Sequence, residues 1–234
     1  MGEISGLKVL ITGGSSGIGK ATARQLVKRG ATVCITGRDK NKLEKAASEI
    51  NAIPIHLDVT KYNTIAVKVL DAFHSMSGID VLVNNAGIGD FAKLEDVKVS
   101  HFENVFATNV YGLTMTTQEV IKFFKTQQHG TIVNIGSTAA TNGFSSGSVY
   151  CASKFALRGL TSCWRQELRR DNIRVMLVNP SEVTTAFNSD DRSERDEVDN
   201  KLTSDEVAHA IISAIRMEDR GFIPELNIWA TNPF

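Results

Sequence analysis

Along the 234 residues, short runs of β-branched and apolar side chains alternate with longer stretches whose apolar positions recur every three or four residues. The runs are KVLIT (Lys8 to Thr12), TVCITG (Thr32 to Gly37), IPIHLDV (Ile53 to Val59), DVLVNNAG (Asp80 to Gly87), TIVNIGS (Thr131 to Ser137), IRVMLVNP (Ile173 to Pro180) and ELNIW (Glu225 to Trp229). Helical patterns cover 40–50, 64–76, 102–125, 149–170 and 204–217, and another starts directly after the first run. Strands separated by helices call for right-handed crossovers, and therefore for a parallel sheet covered on both faces. The expected fold class is α/β, a doubly wound parallel sheet with helices on both faces. No repeat, low-complexity tract or linker divides the chain, so residues 1–234 are expected to form one domain. One segment breaks the pattern: NSDDRSERDEVDN, Asn188 to Asn200, is dense in charge and reads either as a solvated loop or as a lid over a site. It lies within a candidate substrate loop near 186–203, and Thr203 to Glu206 (TSDE) then reads as a capping box opening the next helix.

The turn after the first run carries the first chemical signal. It reads TGGSSGIG from Thr12 to Gly19. In an open parallel sheet, ligands sit beyond the carboxyl ends of the strands, where the first turn offers backbone N–H groups at a positive helix end. Gly13 permits the tight turn, Gly17 a close phosphate, and Gly19 close packing of helix on strand. A dinucleotide is the expected ligand of that turn.

Composition removes other classes. Lys+Arg 26 against Asp+Glu 26 leaves zero formal charge, so the electrostatic footprint of a nucleic-acid binder is missing. Cys34, Cys151 and Cys163 are odd in number and lack metal-ligand or CxxC spacing, which fits a reducing compartment and predicts no metal site. The start MGEISGLKVLIT lacks the cleavage site of a signal peptide, and no apolar run approaches a membrane span. A cytoplasmic protein without membrane or nucleic-acid partners is expected.

Four further features complete a constellation: NNAG (Asn84 to Gly87) at the end of the fourth run, Asn109 in FATNVYG, Ser137 closing the fifth, and YCASK (Tyr150 to Lys154) opening a helix. With TGGSSGIG, in this order and spacing, they resemble the short-chain dehydrogenase/reductase family over nearly the whole chain. The resemblance implies a Rossmann-type fold and an oxidoreductase moving a hydride between a nicotinamide cofactor and a carbonyl or alcohol. Tyr150 and Lys154 share one helical face at i and i+4. A phenol titrating near 10 needs help to exchange protons at neutral pH, and Lys154 is the cation expected to favour its phenolate. By resemblance Tyr150 protonates the carbonyl oxygen, Lys154 also holds the nicotinamide ribose, Ser137 hydrogen-bonds the same oxygen, and Asn109 positions a water linking Lys154 to solvent.

The resemblance also assigns the cofactor's surroundings. Ser15, Ser16 and Ile18 belong to the phosphate turn; Asp58 and Val59 border the adenine; Asn85, Ala86 and Gly87 wall the adenine ribose; Pro180, Val183 and Thr185 contact the carboxamide. Where NAD-specific relatives place an acid after the second strand, this chain has Gly37 and then Arg38, a partner for a 2′-phosphate. NADP(H) is therefore favoured, although Ser16 stands where many NADPH-using relatives carry a second basic residue. Ser181 replaces the family's usual glycine after Pro180. Residues of the 102–125 and 149–170 helices, among them Phe102, Phe106, Phe123, Phe124, Leu160 and Trp164, would pair a homodimer or homotetramer. Loops around Ala139 to Phe144, Asp90 to Phe91 and Phe187 to Asn200 would choose the substrate. The expected substrate is a free small or medium ketone or aldehyde; a 3-oxoacyl group on an acyl-carrier protein is the alternative, and a non-catalytic dinucleotide-binding regulator is the alternative from another class.

Overall fold

Each apolar run forms a strand and each periodic stretch a helix in the computed structural model, which describes residues 2–185, 187 and 196–233. The order is β1 (Lys8–Thr12), α1 (Gly17–Val27), β2 (Thr32–Gly37), α2 (Lys40–Ile50), β3 (Ile53–His56), α3 (Tyr62–Met76), β4 (Val81–Asn84), α4 (Val99–Phe106), α5 (Leu113–Gln127), β5 (Gly130–Ile135), α6 (Ser148–Leu168), β6 (Ile173–Pro180), α7 (Ser204–Ile215) and β7 (Glu225–Ile228). The strands make one parallel sheet in the order β3-β2-β1-β4-β5-β6-β7. The order reverses between β1 and β4, which opens a crevice at the carboxyl ends of those two strands.

Side-chain alternation along the strands divides the core. Val9 and Ile11 of β1 face one layer with Ala23, Leu26, Ile211 and Ile215 of α1 and α7. Leu10 between them faces the other, with Ile65 and Val69 of α3 and Val120 and Phe124 of α5. Leu10 is 1% exposed, so truncation to alanine should cost about 2–5 kcal/mol. The Thr203 capping box forms as expected: Glu206 N–H donates to Thr203 Oγ1 at 3.3 Å, and Thr203 N–H to Glu206 Oε2 at 2.8 Å.

Two differences from the sequence pattern have local causes. The expected helix over 102–125 is two α-helices joined by a π-helical turn, Ala107–Gly112. Inside that turn Asn109 accepts the Ile88 N–H at 2.9 Å and donates to Ile88 O at 2.9 Å and Ser153 Oγ at 3.0 Å. At its end Gly112 lies so close to β3's extension that a Cβ there would stand 2.4 Å from the Val59 carbonyl oxygen. The run IPIHLDV is strand only over Ile53–His56; Leu57 to Val59 bend away towards the crevice. Of the candidate substrate loop, residues 186 and 188–195 lie outside the described residues. Phe124 is fully buried and belongs to the core, and Phe123 stacks on Phe73 with centroids 4.2 Å apart.

Candidate active site

A cleft of about 540 Å³ follows the carboxyl ends of the strands from β2 to β6. At its first end lies the glycine turn. Gly13 and Gly17 have φ of +66° and +53°, in the left-handed region that disfavours side chains. A Cβ on Gly13 would stand 2.8 Å from Ala86 Cα. Thr12 Oγ1 accepts the N–H groups of Asn85 and Ala86, each at 3.1 Å, while Asn85 Nδ2 donates to Thr12 O at 3.0 Å and Gly13 O at 2.8 Å. These bonds fasten the NNAG segment to the turn. Ser16, at the N-cap of α1, puts no side chain onto the helix end. The α1 start carries the positive end of the helix, which favours an anion. The turn opens on the cleft, and the donor set of its backbone fits a dinucleotide phosphate.

Gly13, Ser15, Ser16, Gly17, Ile18, Arg38, Asp58, Val59, Asn85, Ala86, Gly87, Pro180, Val183 and Thr185 all line this cleft with Ser137, Tyr150 and Lys154. Gly19 and Asn109 stand behind the wall. A Cβ on Gly19 would meet Asn85 Nδ2 and Gly13 O at 2.5 Å, so its smallness serves helix-to-strand packing. Asp58 Oδ1 accepts both Thr60 N–H at 3.0 Å and Thr60 Oγ1 at 2.8 Å, which orients the carboxyl group. Among the described residues the Arg38 guanidinium has no ion-pair partner, and its carbonyl is held by His56 Nε2 at 2.9 Å. Ser181 fits without left-handed strain: its N–H donates to Ile228 O at 2.8 Å and its Oγ accepts Ala230 N–H at 3.3 Å.

At the other end α6 presents Tyr150 and Lys154. Burial pushes the Tyr150 phenol up to about 12, and the nearby Ser137 hydroxyl pulls the opposite way. Burial also draws the Lys154 ammonium down to about 8. The lysine was expected to favour the phenolate, yet in the chain alone the phenol is raised. Lys154 Nζ lies 5.7 Å from the Tyr150 ring centroid and donates to Ile135 O at 2.8 Å, so its charge is weakened by burial and directed at a carbonyl. The Asn109 side chain has both amide hydrogens committed to Ile88 and Ser153. A water beside it would therefore hang from the freed main-chain groups of the π turn.

Two supports escaped the sequence pattern. Asn179 Oδ1 accepts the Ser137 N–H at 3.2 Å, and Asn179 Nδ2 donates to Glu225 Oε1 at 2.9 Å and Asn227 Oδ1 at 3.0 Å. Ser153 Oγ donates to Tyr150 O at 2.7 Å while accepting from Asn109. Only their nearness to motif residues, in YCASK and VNP, marked them.

The short chain dehydrogenase family model matches residues 7–196. The chain belongs to this family. Short-chain dehydrogenases are oxidoreductases acting on CH–OH groups and using a nicotinamide nucleotide, on the doubly wound sheet seen here. The chain is 31% identical over 247 residues to an NADP-dependent 3-hydroxy acid dehydrogenase of Schizosaccharomyces pombe, across 99% of this chain and 95% of that protein. An alcohol dehydrogenase from the archaeon Thermococcus sibiricus, complexed with 5-hydroxy-NADP, superposes with a TM-score of 0.88 at 26% identity, over 96% of this chain and 97% of that one. A 3-ketoacyl-(acyl-carrier-protein) reductase from Brucella melitensis, complexed with NADH, gives 0.86 at 26% identity over 99% and 100%. Among the described residues no helix is long and apolar enough to cross a membrane.

Proposed function

We propose that this short-chain dehydrogenase is an NADP(H)-preferring reductase of a ketone or aldehyde, working reversibly, with Tyr150 as proton donor, Ser137 as partner of the carbonyl oxygen, and Lys154 and Asn109 behind them. The observation carrying this reading is that Tyr150, Ser137 and Lys154 line one end of a single cleft whose other end is the glycine turn and Arg38. When bound, the reduced nucleotide supplies a hydride to the carbonyl carbon and is oxidised by two electrons. The protein's own groups manage the proton. Tyr150 is protonated at neutral pH, as any ordinary phenol is, and so can donate to an oxygen gaining charge, while burial by itself makes it a weaker acid. Ser137 supplies a second hydrogen bond to that oxygen. Lys154, drawn down to about 8, passes a proton readily and can restore the tyrosine's. The glycine turn holds the diphosphate, Asp58 and Val59 the adenine, Asn85 to Gly87 the ribose, and Pro180, Val183 and Thr185 the carboxamide.

NADP(H) over NAD(H) rests on Arg38, whose guanidinium suits a 2′-phosphate. The yeast and archaeal relatives named for NADP agree with it, and the Brucella complex with NADH shows why the relatives alone do not decide. The exposed apolar side chains Phe102, Tyr111 and Phe155 on and beside α4 and α6 support a homodimer or homotetramer. Exposed Asp196, Glu197 and Asp199 disfavour docking of an acidic carrier. NADPH oxidation by purified protein across a panel of ketones and aldehydes tests the whole reading. Turnover confined to a 3-oxoacyl group on its carrier would favour the carrier-reductase reading, and nucleotide binding without turnover of any carbonyl or alcohol would favour a regulatory one.

A further inference from the structure

Two phenylalanines flank the Tyr150 ring and a third packs on one of them, from three separate segments. Phe91, after β4, has its centroid 5.6 Å from Tyr150 at an interplanar angle of 58°, and Phe187, after β6, lies 5.6 Å away at 60°. Phe144, before α6, is 6.0 Å from Phe91 at 42°. All three line the cleft with Tyr150, in the tilted arrangement that aromatic pairs favour.

The backbone is built to admit these rings. A Cβ on Gly89 would stand 2.6 Å from Phe91 Cζ and 3.0 Å from Phe187 Cε1, and one on Gly147 would stand 2.6 Å from Phe144 Cε2. The Ala92 N–H donates to Ser146 O at 3.0 Å and the Gly147 N–H to Phe144 O at 3.1 Å, so the Phe91 and Phe144 segments are fastened to each other. Phe91 remains 42% exposed and Phe144 51%. One exposed phenylalanine is ordinary; a held cluster around a reactive hydroxyl is unsatisfied apolar surface aimed at a ligand.

Charge argues the same way. Among the described residues lining the cleft, the cations are Arg38 and Lys154 and the anions Asp58 and Glu182. Arg38 follows β2, three strand spacings or about 14 Å from β5. Lys154 is tied to the Ile135 carbonyl behind Tyr150, and Glu182 is paired with Lys201 at 2.9 Å. None of these offers a carboxylate beside the rings a partner, and an unpaired carboxylate in an apolar site is costly.

We propose that the substrate is an uncharged ketone bearing an aromatic or similarly flat apolar ring beside its carbonyl, with that ring seated among Phe91, Phe144 and Phe187 and its oxygen meeting Tyr150 and Ser137. This rests on the carbonyl-reducing reading of the Tyr150 cleft. In the step itself the carbonyl carbon gains a hydride from the reduced nucleotide and the oxygen gains the Tyr150 proton, giving a secondary alcohol, oxidised nucleotide and a tyrosine that solvent reprotonates.

The test measures kcat/KM with NADPH for an aryl methyl ketone, a small aliphatic ketone and a short 3-oxo acid anion, and in reverse with NADP⁺ for the matching alcohols. The aryl ketone should exceed both others by roughly tenfold or more, as expected where a ring fills an apolar pocket and a carboxylate finds no partner among the described residues. In Phe91→Ala and Phe144→Ala the ratio of aryl to aliphatic kcat/KM should fall by roughly tenfold, mainly through KM, with the NADPH Kd confirming that each variant folds. Equal or better turnover of the 3-oxo acid anion, or an unchanged ratio in both variants, overturns this substrate class while leaving a carbonyl reductase standing. If no carbonyl or alcohol reacts in either direction, the carbonyl-reducing reading falls, and the substrate class with it.

Discussion

Lys154 stands over the Tyr150 ring, Nζ 5.7 Å from its centroid, while its hydrogen bond goes to the Ile135 carbonyl at 2.8 Å. The two groups are buried together, and burial moves them in opposite directions: the phenol to about 12 and the ammonium to about 8.

That opposition sets a pH dependence of stability. A lysine near 8 when folded and 10.5 when unfolded binds more protons in the unfolded chain across that window, so its contribution to stability rises with pH from 8 to 10.5. A tyrosine near 12 when folded and 10 when unfolded gives a contribution present below pH 10 and lost as pH climbs towards 12. Buried Cys34, raised to about 12 from 9, acts in the tyrosine's direction above pH 9. Comparing the wild type with Lys154→Met isolates the lysine. The variant's stability advantage should shrink by on the order of 2 kcal/mol between pH 8 and 10. Chemical denaturation at several pH values reads this directly, and parallel profiles for the two proteins would contradict it.

Tyr150→Phe removes the hydroxyl proposed as proton donor and keeps the ring. Turnover should drop by ~10² or more while the nucleotide Kd barely moves, because general acid catalysis carries effects of that size. Single-turnover kinetics beside a binding titration separates the two quantities.

Replacing Arg38 with alanine should weaken NADPH by about 1.5–3 kcal/mol and leave NADH little changed, since only the former carries the phosphate that a guanidinium grips. Equal weakening of both nucleotides would place Arg38 outside that role.

Asn179 holds the Ser137 N–H from β6 and is itself held by Glu225 and Asn227 of β7. A Cβ on the intervening Gly136 would come within 2.1 Å of Asn179 Oδ1, so the fit is tight. Asn179→Ala strands these polar groups and should lower stability by about 1–3 kcal/mol. Because the Ser137 turn loses its anchor, kcat should fall more than nucleotide affinity; thermal melts and steady-state kinetics check both.

The sheet was legible because buried parallel strands are written as apolar runs, KVLIT and IRVMLVNP being plain examples, and helices lie between them. The tight turn after β1 was legible because Gly13 and Gly17 take backbone angles that few other residues take. The π turn was not, since one extra residue per turn hardly disturbs an apolar stripe and the cause is a side chain, Asn109, bonding to distant Ile88. Nor was the raised phenol, which depends on how much water the fold removes from Tyr150 rather than on the charge four residues along. The Phe91, Phe144 and Phe187 cluster hid for a third reason. Each sits in a loop expected to choose the substrate, yet their convergence is set by the sheet order and by two glycines that make way for them.

Among the described strands β7 is made after β6, and β6 is the partner it pairs with. Until it emerges, β6 presents an open edge and Asn179 lacks both of its acceptors, Glu225 and Asn227. The glycine turn between β1 and β4 can form earlier, from residues made long before. During synthesis, therefore, the glycine turn can be complete while the Ser137 turn still waits for β7 to supply the partners that hold Asn179.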